Sequence, residues 1–337
     1  MGSVKDGAAL CGRREFMLCA VGVGMLAGSG ASAASELPVR EIETPVLRFG
    51  LVTDSHYAQK DAWPKSGGGQ RHYRDSVSKM REAVAAFNRG KADFAIELGD
   101  MKDMGVSEIS QDGKKVMRDA EEIRRETLGY LDEIEGVFAQ FAGPRYHVLG
   151  NHDMDSISKE DFLSHTANHG AANGKANYSF DMNGFKFIVL DGCFRADRKP
   201  YCRGNFNWTK AFFPDAELDW LDAELASATT PVFVFCHQLL DGFSKISRSL
   251  VIGNWQRAVE MFERRGNVLC VFQGHHHDGL YGFRKGIHYW TMKGMITGPY
   301  PEHNSFAMVD VSKSGDVFVR GFADSSSRYL PVAPRMI

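Results

Sequence analysis

Neither sign of charge dominates this sequence: 40 lysines and arginines stand against 42 aspartates and glutamates, a formal charge of −2 over 337 residues. That balance excludes the broad basic field that holds a polynucleotide, so the partner expected is a small molecule. Internal repeats and long linkers are missing as well. The composition is that of an ordinary globular protein, long enough to bury the core of one large domain or two modest ones. A membrane anchor is the weaker expectation for the apolar stretch at 17–27, which is diluted by glycine and falls short of the roughly 20 residues that a spanning helix requires.

That short stretch has another use. Arg13-Arg14-Glu15-Phe16 leads into it, and Ala31-Ser32-Ala33 then supplies the small residues a signal peptidase needs. The N-terminus is similar to a twin-arginine export signal. The expectation is a removable signal over 1–33, passage through the twin-arginine machinery, and a mature domain over 34–337 in the periplasm or otherwise exported. Cysteine is scarce, with six in all, and processing leaves Cys193, Cys202, Cys236 and Cys270. Cys236 and Cys270 sit inside apolar runs and are expected as buried thiols. Cys193 and Cys202 flank a polar loop, where an oxidising compartment permits either a bridge or two free thiols.

What the chain does contain is an alternation of short apolar runs with helical periodicity. Strands are expected at 47–53, 94–98, 145–149, 185–190, 231–236 and 268–273, and helices at 73–88, 116–141, 215–228 and 255–264. The central runs are apolar on both faces, as in an α/β sheet covered on both sides. After Gly274 the runs at 281–284, 287–292, 306–311 and 317–322 read as antiparallel strands of a second sheet packed on the first. A glycine-rich insertion at 65–70 is expected to form a lid or substrate loop.

The ends of these strands carry the chemistry. Asp54-Ser55-His56, Gly99-Asp100, Gly150-Asn151-His152-Asp153, His237 and Gly274-His275-His276-His277 each follow an apolar run. In an open α/β sheet the carboxyl edge of the strands is where sites are built. Residues i and i+2 of a strand point the same way, so Asp54 and His56 are expected to meet one ion if strand geometry persists. Gly274 is expected to permit a tight turn that projects His275 and His277 and turns His276 aside. Carboxylate, imidazole and amide donors without thiolate suit manganese, iron or zinc, and exclude a structural zinc knot. Asp100 is the candidate bridge between two ions, its charge offsetting their repulsion. Arg71 or Arg74, beside the glycine-rich insertion, is a candidate phosphate contact.

Together the five blocks resemble the calcineurin-like metallophosphoesterase superfamily, whose pattern D-x-H, GD, GNH-D/E, H and GHxH is met in order between Leu47 and Val311. The resemblance implies a four-layer αββα sandwich, two mixed sheets flanked by helices, holding two divalent or trivalent transition-metal ions. By position, Asp54, His56 and His277 would hold one ion and Asn151, His237 and His275 the other, with Asp100 between them. His152 would contact phosphate and protonate or stabilise the leaving oxygen, and Asp153 would orient it. Within the superfamily the chain resembles the manganese-dependent ADP-ribose/CDP-alcohol diphosphatase group, through Phe49-Gly50-Leu51-Val52-Thr53-Asp54-Ser55-His56-Tyr57, Arg71-His72-Tyr73-Arg74-Asp75-Ser76, His277-Asp278-Gly279 and Gly286-Ile287-His288. The first metal block reads Asp-Ser-His where members of that group often carry Asp-x-Gln. Three readings follow: a hydrolase of phosphomonoesters or phosphodiesters, a pyrophosphatase of nucleoside diphosphate-X compounds, and a metal-binding scaffold without catalysis.

Overall fold

The apolar runs become strands and the amphipathic segments helices in the order their periodicity predicts. A computed structural model describes residues 41–63, 69–111, 114–169 and 174–333. The expected export signal, and most of the expected lid at 65–70, lie outside those residues. In chain order the elements are β1 (Leu47–Val52), α1 (Ser76–Arg89), β2 (Phe94–Glu97), β3 (Glu108–Gln111), β4 (Lys114–Met117), α2 (Ala120–Phe138), β5 (Arg145–His147), α3 (Lys159–His165), β6 (Tyr178–Met182) and β7 (Phe185–Val189). Then come α4 (Asp215–Ser227), β8 (Val232–Cys236), α5 (Trp255–Arg265), β9 (Val268–Gln273), β10 (Asp278–Arg284), β11 (Ile287–Lys293), β12 (Ser305–Val311), β13 (Val317–Ala323) and β14 (Arg328–Leu330). No described helix is long and apolar enough to cross a membrane.

Two six-stranded mixed sheets form, in the orders β14-β13-β12-β1-β2-β5 and β10-β11-β9-β8-β7-β6. The strands after Gly274 therefore do not make a sheet of their own. β11 pairs parallel with β9, while β12 pairs antiparallel with β1, so the C-terminal strands are shared between both sheets. Alternation along each strand builds the layers. Phe49, Leu51, Phe233, Phe235 and Phe272 enter the core between the sheets, while Val52, Val234 and Cys236 enter the core beneath the helices. Phe49 stacks on Phe94 with ring centroids 4.7 Å apart, and Phe187, Phe233, Phe235 and Phe272 pack edge-on around Phe49. Each buried phenyl contributes about 1.5–3 kcal/mol. Helix α1 packs on β1 and β12 and against α2, while α5 packs on β9 and against α4, giving four layers, αββα.

The helix expected over 116–141 begins later. Asp119 caps it through a reciprocal pair with Glu122, so α2 starts at Ala120 and the preceding residues turn back as the β3–β4 hairpin. The segment expected to open a helix at Tyr73 is a short 3₁₀ turn before α1. All four cysteines among the described residues are free thiols: Cys193 is buried, with its sulfur 3.3 Å from the Leu149 carbonyl, and Cys202 is half-buried.

One buried acid in α4 ties stability to pH. Glu217 Oε1 accepts the Asp191 N–H at 3.0 Å, and burial together with the Asp191 charge pushes the Glu217 carboxyl from 4.5 up to about 8, against the pull of Lys159. Between those values the folded chain holds a proton that the unfolded chain has released. The contribution of Glu217 to stability is therefore fully present below about pH 4.5 and is lost as pH rises toward 8. Glu217→Gln keeps the acceptor and removes the charge, so it is expected to stabilise by roughly 1 kcal/mol or more at pH 8 and to change little at pH 4.5. Urea melts of both proteins at the two pH values measure this, and an equal difference at both would contradict it.

Candidate metal centre

The strands that precede the ligand candidates lie side by side. β1, β2 and β5 are parallel neighbours in one sheet, and β8 and β9 in the other, so their carboxyl ends present Asp54 and His56, Asp100, Asn151, His237, and His275 with His277 along a common edge. The turns that follow are not continued strand. Asp54 (φ 51°), His56 (φ 44°), Asp100 (φ 59°) and His275 (φ 67°) all occupy the left-handed region, which costs a residue with a Cβ about 1 kcal/mol or more. Left-handed bends, and not the strand alternation expected from sequence, bring Asp54 and His56 to one place.

Bonds between the clusters hold these bends. Asp54 N–H donates to Gly99 O at 3.0 Å, His56 N–H to Asp100 O at 2.9 Å, and Ile296 N–H to Asp54 O at 3.0 Å. The buried Lys79 ammonium of α1 donates to the carbonyls of Met295, Thr297 and Gly298 at 2.9, 3.1 and 2.6 Å, fixing the turn behind Asp54. The motif glycines are needed for close approach. A Cβ on Gly150 would lie 2.2 Å from Asp100 N, and one on Gly274 would lie 2.2 Å from Thr53 Oγ1 and 2.9 Å from Asp54 Oδ2. At Gly274 the constraint is crowding, and the left-handed turn falls on His275 itself.

Each ligand side chain is tethered by one atom and offers another. Asp54 Oδ2 accepts from Thr53 Oγ1 at 2.7 Å and from His275 N–H at 2.9 Å, leaving Oδ1. Asp100 Oδ1 accepts from His152 N–H at 2.6 Å, leaving Oδ2. His237 Nδ1 donates to Leu98 O at 2.8 Å, which sets the tautomer with Nε2 free. Asp54 Oδ1 lies 3.2 Å from His277 Nε2 and 3.7 Å from His56 Nε2, while Asp100 Oδ2 lies 3.5 Å from His56 Nε2 and 3.2 Å from His237 Nε2.

Those offered atoms are orphans. Asp54 Oδ1, Asn151 Oδ1, His237 Nε2 and His275 Nε2 are buried without a hydrogen-bond partner, and the Nε2 atoms of His56 and His277 face each other at 3.2 Å. Unpaired buried donors and acceptors each cost on the order of 1–3 kcal/mol, a cost that bound cations offset. Asp54, His56 and His277 bring ligand atoms within 4.8 Å of one another, and so do Asp100, His237 and His275. Burial pushes His275 down to about 3 and His277 to about 4, which favours the neutral imidazole that binds metal, whereas at His237 burial is outweighed by the Asp100 charge, which raises the imidazole to about 9. The donor set fits two metal ions, with Asp100 Oδ2 within reach of both groups.

Above these atoms lies a cavity of about 570 Å³, lined by Arg71, Asp100, Asn151, His152 and residues 275–278, and by Phe206, Trp208, Ser249 and Leu250. His276, expected to turn aside, lines it too. Arg74 does not: its guanidinium is drawn to Asp61 Oδ1 at 2.6 Å and to Gln59 O at 3.2 Å.

A family model for calcineurin-like phosphoesterases matches residues 47–279. The chain belongs to that family. It is a metal-dependent hydrolase acting on phosphate ester or diphosphate bonds, and its clustered carboxylates and imidazoles serve two divalent ions. Curated relatives include manganese-dependent ADP-ribose/CDP-alcohol diphosphatases of Arabidopsis thaliana, 23% identical with 79% of this chain and 91% of the relative covered, and of Xenopus laevis, 25% identical with 81% and 87% covered. Among solved structures, a dimetal phosphatase from Danio rerio superposes with a TM-score of 0.71 at 20% identity, covering 86% of this chain and all of that one. Purple acid phosphatase from yellow lupin gives 0.54 at 12% identity, covering 85% and 53%.

In this phosphoesterase, the neighbours of His152 differ from those expected. Asp153 does not orient it: its Oδ2 accepts the N–H groups of Asp100 at 2.9 Å and Gly150 at 2.8 Å, and its Oδ1 accepts that of Met101 at 2.9 Å, clamping two ligand loops together. Burial and the Asp100 charge raise Asp153 to about 6, with Lys102 and those N–H donors pulling the other way. The carboxylates facing His152 Nδ1 are Asp103 Oδ2 at 3.7 Å and Asp155 Oδ2 at 3.8 Å. Burial disfavours the imidazolium, but Asp100, Asp155 and Asp103 outweigh it and lift His152 to about 9. Asp103 also stands 3.5 Å from His56 Nδ1, behind that ligand. Buried Lys102 donates to His152 O at 2.6 Å and pairs with Asp155, steadying the turn. Sequence reasoning missed these three residues. The signal was an aspartate three positions after Asp100 and another three after His152.

Proposed function

We propose that this phosphoesterase is exported and uses two manganese ions to hydrolyse the diphosphate bond of a small nucleoside diphosphate-X compound. The observation that carries the reading is the convergence of partnerless ligand atoms at a cavity of about 570 Å³, within the ~300–1,000 Å³ of sites that enclose a whole small organic molecule. The manganese dependence and diphosphatase activity in the names of the curated relatives support it. In this reading Asp54, His56 and His277 hold one ion, Asn151, His237 and His275 hold the other, and Asp100 Oδ2 is shared.

Two divalent ions held by these residues would supply Lewis acidity toward a phosphoryl oxygen and would make water nucleophilic near neutral pH. The protein does the rest. Asp100, with Oδ1 fixed by the His152 N–H, keeps Oδ2 in place between the two groups. The Asp103 and Asp155 carboxylates favour the imidazolium of His152, whose Nδ1 faces them while Nε2 is left for the substrate. As the water oxygen forms a new P–O bond and gives up a proton to solvent, the bridging P–O bond breaks and the proton on His152 Nε2 passes to the departing oxygen, to be replaced from solvent. Arg71 brings the permanent positive charge of the cavity lining and pairs with a second phosphate.

With manganese bound, ADP-ribose is expected to yield AMP faster than an aryl phosphate yields inorganic phosphate. The reverse order favours the monoesterase reading, and inactivity on both substrates with manganese, iron and zinc in turn contradicts hydrolysis. Export rests on Arg13-Arg14 and the apolar run 17–27. Protein recovered from a periplasmic fraction should begin near residue 34, and an unprocessed chain left in the cytosol contradicts it.

A further inference from the structure

The loop between β7 and α4 brings two aromatic rings to the metal centre that no step above uses. Phe206 and Trp208 both line the cavity. The Phe206 ring centroid lies 6.2 Å from that of His152, and the Trp208 centroid lies 6.1 Å from that of His275. The two rings are supported differently. Phe206 is half-buried and packs on the fully buried Tyr201 at 5.4 Å, whereas Trp208 is 47% exposed. An indole that open at the mouth of the cavity presents a flat apolar face to whatever enters it.

The rest of the lining narrows what that is. Among the described lining residues Arg71 is the one lysine or arginine, and Asp278 adds a negative charge. Away from the ions the described lining is close to neutral, so phosphates are drawn to the ions and Arg71 and not to the rest of the wall. Beyond the metal ligands, Phe206, Trp208 and Leu250 present neutral, largely apolar surface. The match is one or two phosphates at the ions and Arg71, joined to an uncharged planar group.

We infer that Trp208, backed by Phe206, stacks on the nucleobase of the substrate and sets the preference for nucleotides over other phosphate compounds. The inference rests on the hydrolase reading above and adds the group that the cavity selects. Stacking a base on an aromatic side chain contributes about 1–3 kcal/mol, that is, about five- to 150-fold in affinity.

The two products expected from ADP-ribose make the test, since AMP and ribose 5-phosphate share a phosphate and a sugar and differ in the base. Calorimetric titration of the manganese-loaded protein should show AMP binding about tenfold or more tighter than ribose 5-phosphate, with inorganic phosphate weaker still. Trp208→Ala should remove the AMP advantage and leave ribose 5-phosphate and inorganic phosphate within about twofold, and Trp208→Phe should restore most of it. AMP should also quench tryptophan emission in the parent protein and lose that effect in Trp208→Ala. Equal affinity for AMP and ribose 5-phosphate in the parent protein overturns the inference without any variant. So does a Trp208→Ala protein that loses all three ligands alike. Failure to bind any of the three, phosphate included, overturns the hydrolase reading with it.

Discussion

Asp100→Asn is expected to leave a folded protein that holds fewer than two metal ions and hydrolyses phosphoesters about a thousandfold more slowly. The substitution is nearly isosteric. The amide oxygen can still accept the His152 N–H that Oδ1 accepts at 2.6 Å, so the loop after β5 keeps its anchor. What disappears is a negative charge between two groups of ligands, with Oδ2 lying 3.5 Å from His56 Nε2 and 3.2 Å from His237 Nε2. Two divalent cations about 4 Å apart repel by roughly 17 kcal/mol at an effective dielectric of about 20, and a carboxylate between them offsets much of that. Metal analysis of the purified variant beside its rate on an aryl phosphate checks both halves. An Asp100→Asn protein that retains two ions and its parental rate would remove Asp100 from the bridge.

His152→Ala is expected to separate the same two observables. The metal content should stay at two, because the Nδ1 side of this ring faces Asp103 and Asp155. The rate should fall about 10²–10⁴-fold, the usual contribution of a positioned general acid. His152 also comes within 4.8 Å of ligand atoms on His56 and Asp100, a grouping that would suit a ligand. Its main-chain N–H and its place at the cavity wall argue for proton transfer instead. Leaving-group chemistry tells the roles apart. A nitrophenolate departs without a proton and an alkoxide does not, so the variant should lose far more rate on an alkyl ester than on a nitrophenyl ester. An equal loss on both esters together with loss of metal would make His152 a ligand.

The metal centre was legible in the sequence because each part sits where chain geometry forces a recognisable pattern. Gly150 and Gly274 precede their ligands because another cluster's backbone or side chain occupies the space a Cβ would need. The apolar runs before Asp54, Asp100, Asn151, His237 and His275 are buried strands whose carboxyl ends share an edge. The supporting residues were harder to see. Asp103 and Lys102 act through space on residues of another loop and Asp155 on His152 three positions before it, and an aspartate at that spacing is also common in an ordinary polar turn. Asp153 misled for a related reason, since adjacency to His152 in the chain places its carboxylate on the far side, under the Asp100 and Gly150 N–H groups.

The limits in the fold have similar causes. Residues 287–293 and 305–311 are both buried along nearly their whole length, so their pattern reveals strands without saying which sheet each joins. The pairing of β12 with β1 decides that, across more than 250 positions of chain. The β3–β4 hairpin is exposed, and Val116 with Met117 continues the apolar spacing of the following helix, which conceals the break that Asp119 makes.

The central claim is that five separate turns make one site for two ions sharing the Asp100 carboxylate. Electron paramagnetic resonance of the protein titrated with manganese tests it most directly. The account predicts saturation at two ions per chain and a spectrum of two exchange-coupled manganese ions, reverting in Asp100→Asn to that of isolated ions. Saturation at one ion, or two ions that never couple in the parent protein, would contradict it.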